Sequence, residues 1–201
     1  MEFSVIISLI ALFISVYTFW MNRIKVGVVK MTRPSVIFFG SDGIEKNDKK
    51  VFIRTLLYST SDKGQYIQNM FIRLQREETV QDFNVWVYDD KGLVRGSGLF
   101  ISKTGLSANH HFLMPKDGVS YEFFPGSYLL QLFVETVNKT SAKIFEQVLI
   151  ITPEQHKAMS EKSIGLYYDW APNTGNYLAH LDKPKMKKDQ LDDIINKLAI
   201  D

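Results

Sequence analysis

The side chains best suited to proton transfer near neutral pH, or to metal ligation, are four histidines: His110, His111, His156 and His180. His110 and His111 are adjacent on a stretch that reads as a strand. They therefore project to opposite faces and do not easily share a metal. There is no cysteine to act as nucleophile or zinc ligand. Asp89-Asp90 and Asp192-Asp193 are consecutive pairs, better explained by a turn and a helix surface than by general acid–base work. No G-x-S-x-G, H-E-x-x-H or P-loop pattern occurs. The glycines of Gly92-Leu93-Val94-Arg95-Gly96-Ser97-Gly98 follow a hairpin turn rather than open a helix, which does not suit phosphate cradling. These residues predict no catalytic site, no metal site and no cofactor. The chain is expected to work by binding.

Three groups of residues carry binding chemistry. Tyr167, Tyr168, Trp170 and Tyr177 place four aromatics within eleven residues, a density that suits a partner surface because Tyr and Trp dominate interface hot spots. The alternative is that they cover an open end of the domain. In the tail, residues 186–201, Leu191, Ile194, Ile195 and Leu198 recur at i, i+3, i+4 and i+7, which predicts an amphipathic helix. Lys183, Lys185, Lys187 and Lys188 precede it. Such a tail can meet anionic lipid, meet a protein partner, or dock on the body of the chain. The third group is Ser4, Ser8, Ala11, Ser15 and Thr18, spaced four, three, four and three, with Asn22 continuing the series. That seam predicts a packing face for a second transmembrane helix, since small and hydroxylated residues let helix backbones approach in lipid. The competing use of the same hydroxyls is to bond their own i−4 carbonyls.

This seam belongs to a run from Phe3 to Met21 with no charge, Pro or Gly. Such a run spans roughly 28 Å as a helix, close to the ~30 Å hydrocarbon core of a bilayer. With no polar face to meet water, it is not an ordinary surface helix. A cleaved signal peptide would need a basic start and small residues at its exit. This chain offers Met1-Glu2 and the bulky Tyr17, Phe19, Trp20 and Met21. The expectation is an uncleaved single-span anchor over residues 1–23. Arg23, Lys25, Lys30 and Arg33 follow it, so the positive-inside rule places the bulk of the chain in the cytoplasm. The absence of cysteine agrees with a reducing compartment. Asn138-Lys139-Thr140 matches a glycosylation sequon but reads as a hairpin turn.

The remaining residues are charge-balanced, with 24 basic and 22 acidic side chains in the whole chain, so nothing calls for nucleic acid. Aromatics at 13% support a substantial core. From residue 24 to 151, β-branched and aromatic runs alternate with turn signals, predicting strands near 24–31, 35–39, 50–59, 66–75, 82–89, 93–101, 107–113, 119–124, 127–137 and 142–151. No helical pattern long enough for a βαβ crossover separates them, so the sheet is expected to be antiparallel. Thr152-Pro153-Glu154-Gln155 is a capping box with Pro at the first helical position, predicting a short helix to about Lys162. The organisation read this way is an anchor (1–23), a β-sandwich (24–152) and a C-terminal appendage (153–201).

Phe124-Pro125-Gly126-Ser127-Tyr128-Leu129-Leu130-Gln131-Leu132 resembles the opening of the penultimate strand of immunoglobulin-like sandwiches. The resemblance implies an immunoglobulin-like fold in which Tyr128 forms a corner, its hydroxyl bonding back to the backbone. The layout of one span, a basic stop and then Ser61-Asp62-Lys63-Gly64-Gln65-Tyr66-Ile67 is similar to bacterial membrane-anchored β-sandwich proteins without assigned activity. The partners expected are the bilayer itself, and a protein partner or a second copy joined through the span.

Overall fold

The computed structural model describes residues 2–25, 27–41, 49–89, 92–96, 98–115, 120–137, 141–162 and 164–182. The expected tail helix, with Leu191, Ile194, Ile195 and Leu198, lies outside the described residues, as does the sequon.

The apolar run is a single α-helix, α1 (Glu2–Phe19), followed by a π-helical turn at Trp20–Ile24. That turn closes with the Lys25 N–H donating to the Trp20 carbonyl at 2.9 Å. The stretch Phe3–Asn22 is long and apolar enough to cross a membrane, and none of it is buried against the rest of the chain. At 3.6 residues per turn, Ser4, Ser8, Ala11, Ser15 and Thr18 fall within an arc of about 80°. The Ser8 hydroxyl donates to the Ser4 carbonyl at 2.9 Å, the local use of a hydroxyl on that face.

Among the described residues twelve strands follow: β1 (Val29–Met31), β2 (Val36–Ser41), β3 (Lys49–Ser59), β4 (Gln65–Arg76), β5 (Thr79–Asp89), β6 (Gly92–Arg95), β7 (Leu99–Ile101), β8 (Leu106–Leu113), β9 (Gly126–Thr136), β10 (Ala142–Ile151), β11 (Leu166–Ala171) and β12 (Asn176–Leu181). A helix, α2 (Pro153–Lys162), separates β10 from β11. Strand pairing is antiparallel and runs β10-β9-β4-β5-β8-β3-β2-β11-β12, with β1 on β3, β6 on β5 and β7 on β4. Alternation drives this: along β4, Met70, Ile72 and Leu74 are buried, and opposite them on β9 so are Val134, Leu132 and Leu130. Each such side chain is worth roughly 1.5–3 kcal/mol of burial.

β5 makes the sheet fold back on itself. Its first half pairs with β4, from Thr79 to Asn84, and its second half turns to β8, from Asn84 to Trp86. One layer is then β10-β9-β4 and the other β8-β3-β2-β11-β12. Phe39 of β2 packs edge-on against Tyr128 of β9, with ring centroids 6.1 Å apart. The result is one continuous, nearly closed sheet rather than two separately bonded ones, because β5 is long enough to serve both layers.

Three strand expectations are corrected. The strand expected from residue 24 begins only at Val29, since the π-helical turn takes up Trp20–Ile24. The strand expected over 93–101 is two strands bound to different neighbours; Gly98, at φ 60°, breaks it. Residues 120–124 form no strand, although Phe123 is buried in the core. Beyond residue 152, β11 pairs with β2 along Val36–Phe39, so the hairpin of the expected appendage extends the same sheet. The capping box forms reciprocally, with the Gln155 N–H donating to the Thr152 hydroxyl at 3.2 Å and the Thr152 N–H to Gln155 Oε1 at 2.9 Å.

Candidate functional site

Below Trp86 and His111 the β5–β8 pairing stops and the two strands diverge. The gap is a cavity of about 320 Å³ lined by Val85, Trp86, Val87, Leu99, Leu106, Ala108, Asn109, His110 and His111. Its size is at the small end of ligand-binding pockets. The cavity combines apolar walls with two buried imidazoles, each 5% exposed.

Register puts the two rings on opposite faces. His110 stands opposite Ile53, on the core side, and His111 opposite Phe52 and Trp86, on the outer side. Burial holds the His110 pKa below its usual value, opposed by a hydrogen bond to the Thr55 backbone. Because that bond favours the charged ring, the ring is its donor. Nε2 of His110 is buried and has no hydrogen-bond partner. In the neutral ring, Nε2 is an acceptor waiting for a donor. His111 is pushed down to about 4, first by burial, then by the Lys50 ammonium and by His110. Both rings are therefore neutral at physiological pH.

His111 also belongs to a row that crosses the outer face. Directly opposed residues of neighbouring antiparallel strands share a face. The register pairs His180 with Tyr167, Tyr167 with Phe38, Phe38 with Phe52, Phe52 with His111, His111 with Trp86, and Trp86 with Arg95. Ring centroids along the row are 5.4 Å for His180–Tyr167, 4.8 Å for Tyr167–Phe38, 4.8 Å for Phe38–Phe52 and 5.4 Å for Phe52–His111. The Phe38 ring takes space that two glycines leave open. A Cβ at Gly40 would meet it at 2.4 Å, and one at Gly165 would overlap it still more closely. The row is exposed at its ends, His180 and Arg95, and half-buried at Tyr167, Phe52 and Trp86.

The four aromatics singled out in the sequence are divided by the hairpin. Tyr167 joins this row. Tyr168 is 2% exposed, its hydroxyl donates to the Ile150 carbonyl at 2.9 Å, and burial raises its pKa, so it is a core residue and not a partner surface. Trp170 and Tyr177 pack edge to face at 5.2 Å, with the Arg33 guanidinium 3.9 Å over the indole. The Tyr177 hydroxyl donates to the Pro34 carbonyl at 2.7 Å. This pair is half-buried and ties the β11–β12 hairpin to the chain entering β2. Tyr128 is fully buried, and its hydroxyl donates to the Phe124 carbonyl at 2.8 Å. Sequence reasoning missed the cavity and the row. Only the adjacent histidines on a strand signalled them.

Among the described residues, no three His, Asp or Glu side chains gather as a metal site. No family model matches the chain, and no curated protein matches it. A crystal structure from Bordetella pertussis, provisionally assigned as an ApaA protein, aligns with 64% of this chain and 97% of its own at 12% identity and a TM-score of 0.36. At that similarity neither fold nor function transfers.

Proposed function

We propose that this chain is a membrane-anchored, non-enzymatic binding module. In this reading α1 spans the bilayer and an immunoglobulin-like domain offers the β5–β8 cavity and the adjoining aromatic row to a ligand or protein partner. The observation that carries the reading is His110 Nε2, a buried acceptor without a partner, on a residue that lines a cavity whose other walls are apolar apart from Asn109 and His111. An unmet acceptor in such a place costs about 1–3 kcal/mol, a cost that a ligand donor would relieve. The ligand class that fits is a small apolar body, or an apolar side chain, bearing one hydroxyl or N–H donor.

Two observations support the immunoglobulin-like reading. The order β10-β9-β4-β5 followed by β8-β3-β1/β2 matches the family's G-F-C-C′ and E-B-A neighbours. The Tyr128–Phe124 bond has the geometry of the family's tyrosine corner. The basic residues Arg23, Lys25, Lys30 and Arg33 after the span support a cytoplasmic domain.

A photoreactive residue at Ala108, in the full-length protein in native membranes, tests the binding reading. Adducts specific to that position and absent from Glu78, on the β4–β5 turn, are expected. No adduct at Ala108 or Tyr167, in protein shown to be membrane-integrated, would remove the binding role. A tag at Asp201 should be shielded in intact cells; an accessible tag would favour an extracytoplasmic component of an envelope assembly.

The seam on α1 favours a second form of the same module, a sensor–effector in which ligand drives helix association. Replacing Ser8 and Ser15 by Leu should then weaken ligand-dependent oligomers; unchanged association would leave the first form.

A further inference from the structure

The route by which the chain enters the domain fixes which end of it meets the membrane. The π-helical turn ends at Ile24, and Val28 is already tied down. Its N–H donates to the Thr60 hydroxyl at 2.9 Å and its carbonyl accepts from the Thr60 N–H at 3.0 Å. Four residue steps cover at most about 14 Å. If α1 crosses the bilayer, its 18 residues span about 27 Å, which leaves Trp20–Ile24 at headgroup depth. Val28 and everything bonded to it then stand at the bilayer surface.

The structures gathered at that end are the β3–β4 loop, the β7–β8 loop and the end of β9. Ser59 N–H donates to the Ser102 carbonyl at 3.0 Å, and Val137 N–H to the Tyr66 carbonyl at 3.2 Å, which locks them together. This end carries an apolar cluster. Tyr66 (66% exposed) and Phe100 (53%) are register partners with rings 4.9 Å apart, Val137 (59%) lies beside them, and Val28 is 49% exposed. Gly64, at φ 70°, leaves the space Phe100 occupies: a Cβ there would meet the ring at 2.5 Å. Around the cluster are the exposed Lys25 and Lys63, and Lys103 paired with Asp62 at 2.8 Å. Exposed aromatics ringed by lysines match the membrane–water interface, where amphipathic rings sit at headgroup level and lysine stems lie along apolar surface.

We infer that this loop end of the domain rests on the bilayer that α1 crosses, with Tyr66, Phe100 and Val137 seated among the headgroups. The inference rests on the anchored reading above, and it commits to lipid because the short tether leaves no room there for a folded partner. The opposite end, with the β4–β5 turn, points away: β4 alone is about 36 Å long.

The absence of cysteine makes a direct test simple. Single substitutions Phe100→Cys, Val137→Cys, Glu78→Cys and Ile10→Cys in the full-length protein are labelled with an environment-sensitive fluorophore. The labelled protein is reconstituted into phosphatidylcholine–phosphatidylglycerol vesicles carrying lipid-borne quenchers. The labels at 10, 100 and 137 should be quenched, with the one at 78 remaining in water. A quenched label at 10 with water-like labels at 100 and 137 would overturn the inference and leave the span intact. A water-like label at 10 would remove the anchored reading, and this inference with it. Because Phe100 packs on Tyr66, a second measurement uses Tyr66→Ser, which leaves the labelled sites alone. It should reduce quenching at 137 without lowering the melting temperature, and unchanged quenching would count against the inference.

Discussion

The β4–β9 pair and the β5–β8 pair are both antiparallel contacts within one sheet, yet they behave as opposites. β4 and β9 stay in register from Ile67 to Gln75 with one irregularity near the end. Their core face is wholly apolar. Their outer face stacks Phe71 on Phe133 at 5.0 Å, with Arg73 placed over both rings by a two-point bond to Asp82. β5 and β8 pair only from Asn84 to Trp86 and then separate around two histidines. Where pairing is continuous, every buried group is apolar or bonded, and the region gives stability. Where pairing lapses, an acceptor is left unmet and space remains for something else.

The largest test of that contrast is in the core. Leu132→Ala, under the continuous pair, should cost about 3 kcal/mol in denaturant unfolding, within the usual range for buried leucines. Leu99→Ala, on the cavity wall, should cost less than half as much, because space already surrounds it. Equal costs would break the comparison.

Acid provides the second test. The folded His111 pKa lies near 4, below the ordinary value of ~6.5, so the folded state disfavours the charged ring. The stability tied to its neutral form is complete above ~6.5 and declines as pH falls toward 4. The loss is at most about 3 kcal/mol. Melting temperature should therefore fall between pH 7 and 4, and His111→Phe should flatten that fall. An unchanged slope would mean that other groups set the acid limit.

Smaller still, Tyr128→Phe should cost about 1 kcal/mol by removing the bond to the Phe124 carbonyl. No change in melting would separate the corner from stability. Smallest of all should be His110→Leu in protein without ligand. It removes an unmet acceptor, a gain, and the ring's bond to the Thr55 backbone, a loss; the two should offset to within about 1 kcal/mol, while the Ala108 adducts are abolished. A loss as large as that of Leu132→Ala would make His110 a structural residue.

Much of the fold was legible because its signals are local. Alternation gave β4 and β9, Thr152 and Gln155 gave the start of α2, and the resemblance carried by Phe124–Leu132 implied the bond from the Tyr128 hydroxyl back to the backbone. The cavity and the row were not legible, since their members come from strands spread along the chain and meet only through register. His111, Phe52 and Phe38 become neighbours only once β8, β3 and β2 are paired. Tyr167 and Tyr168 part for a related reason. Period-two alternation sends Tyr167 outward and Tyr168 inward, and adjacency in sequence conceals that division.

The bond from Tyr177 to Pro34 joins residues 143 positions apart. Contacts of such separation form late, because a long loop must close before they return any free energy. β11 pairs with β2 along Val36–Phe39, where the Phe38 ring takes the space that a Cβ at Gly40 or Gly165 would fill. The β11–β12 hairpin thus covers the edge of β2, an edge that would otherwise be open to strands of other chains.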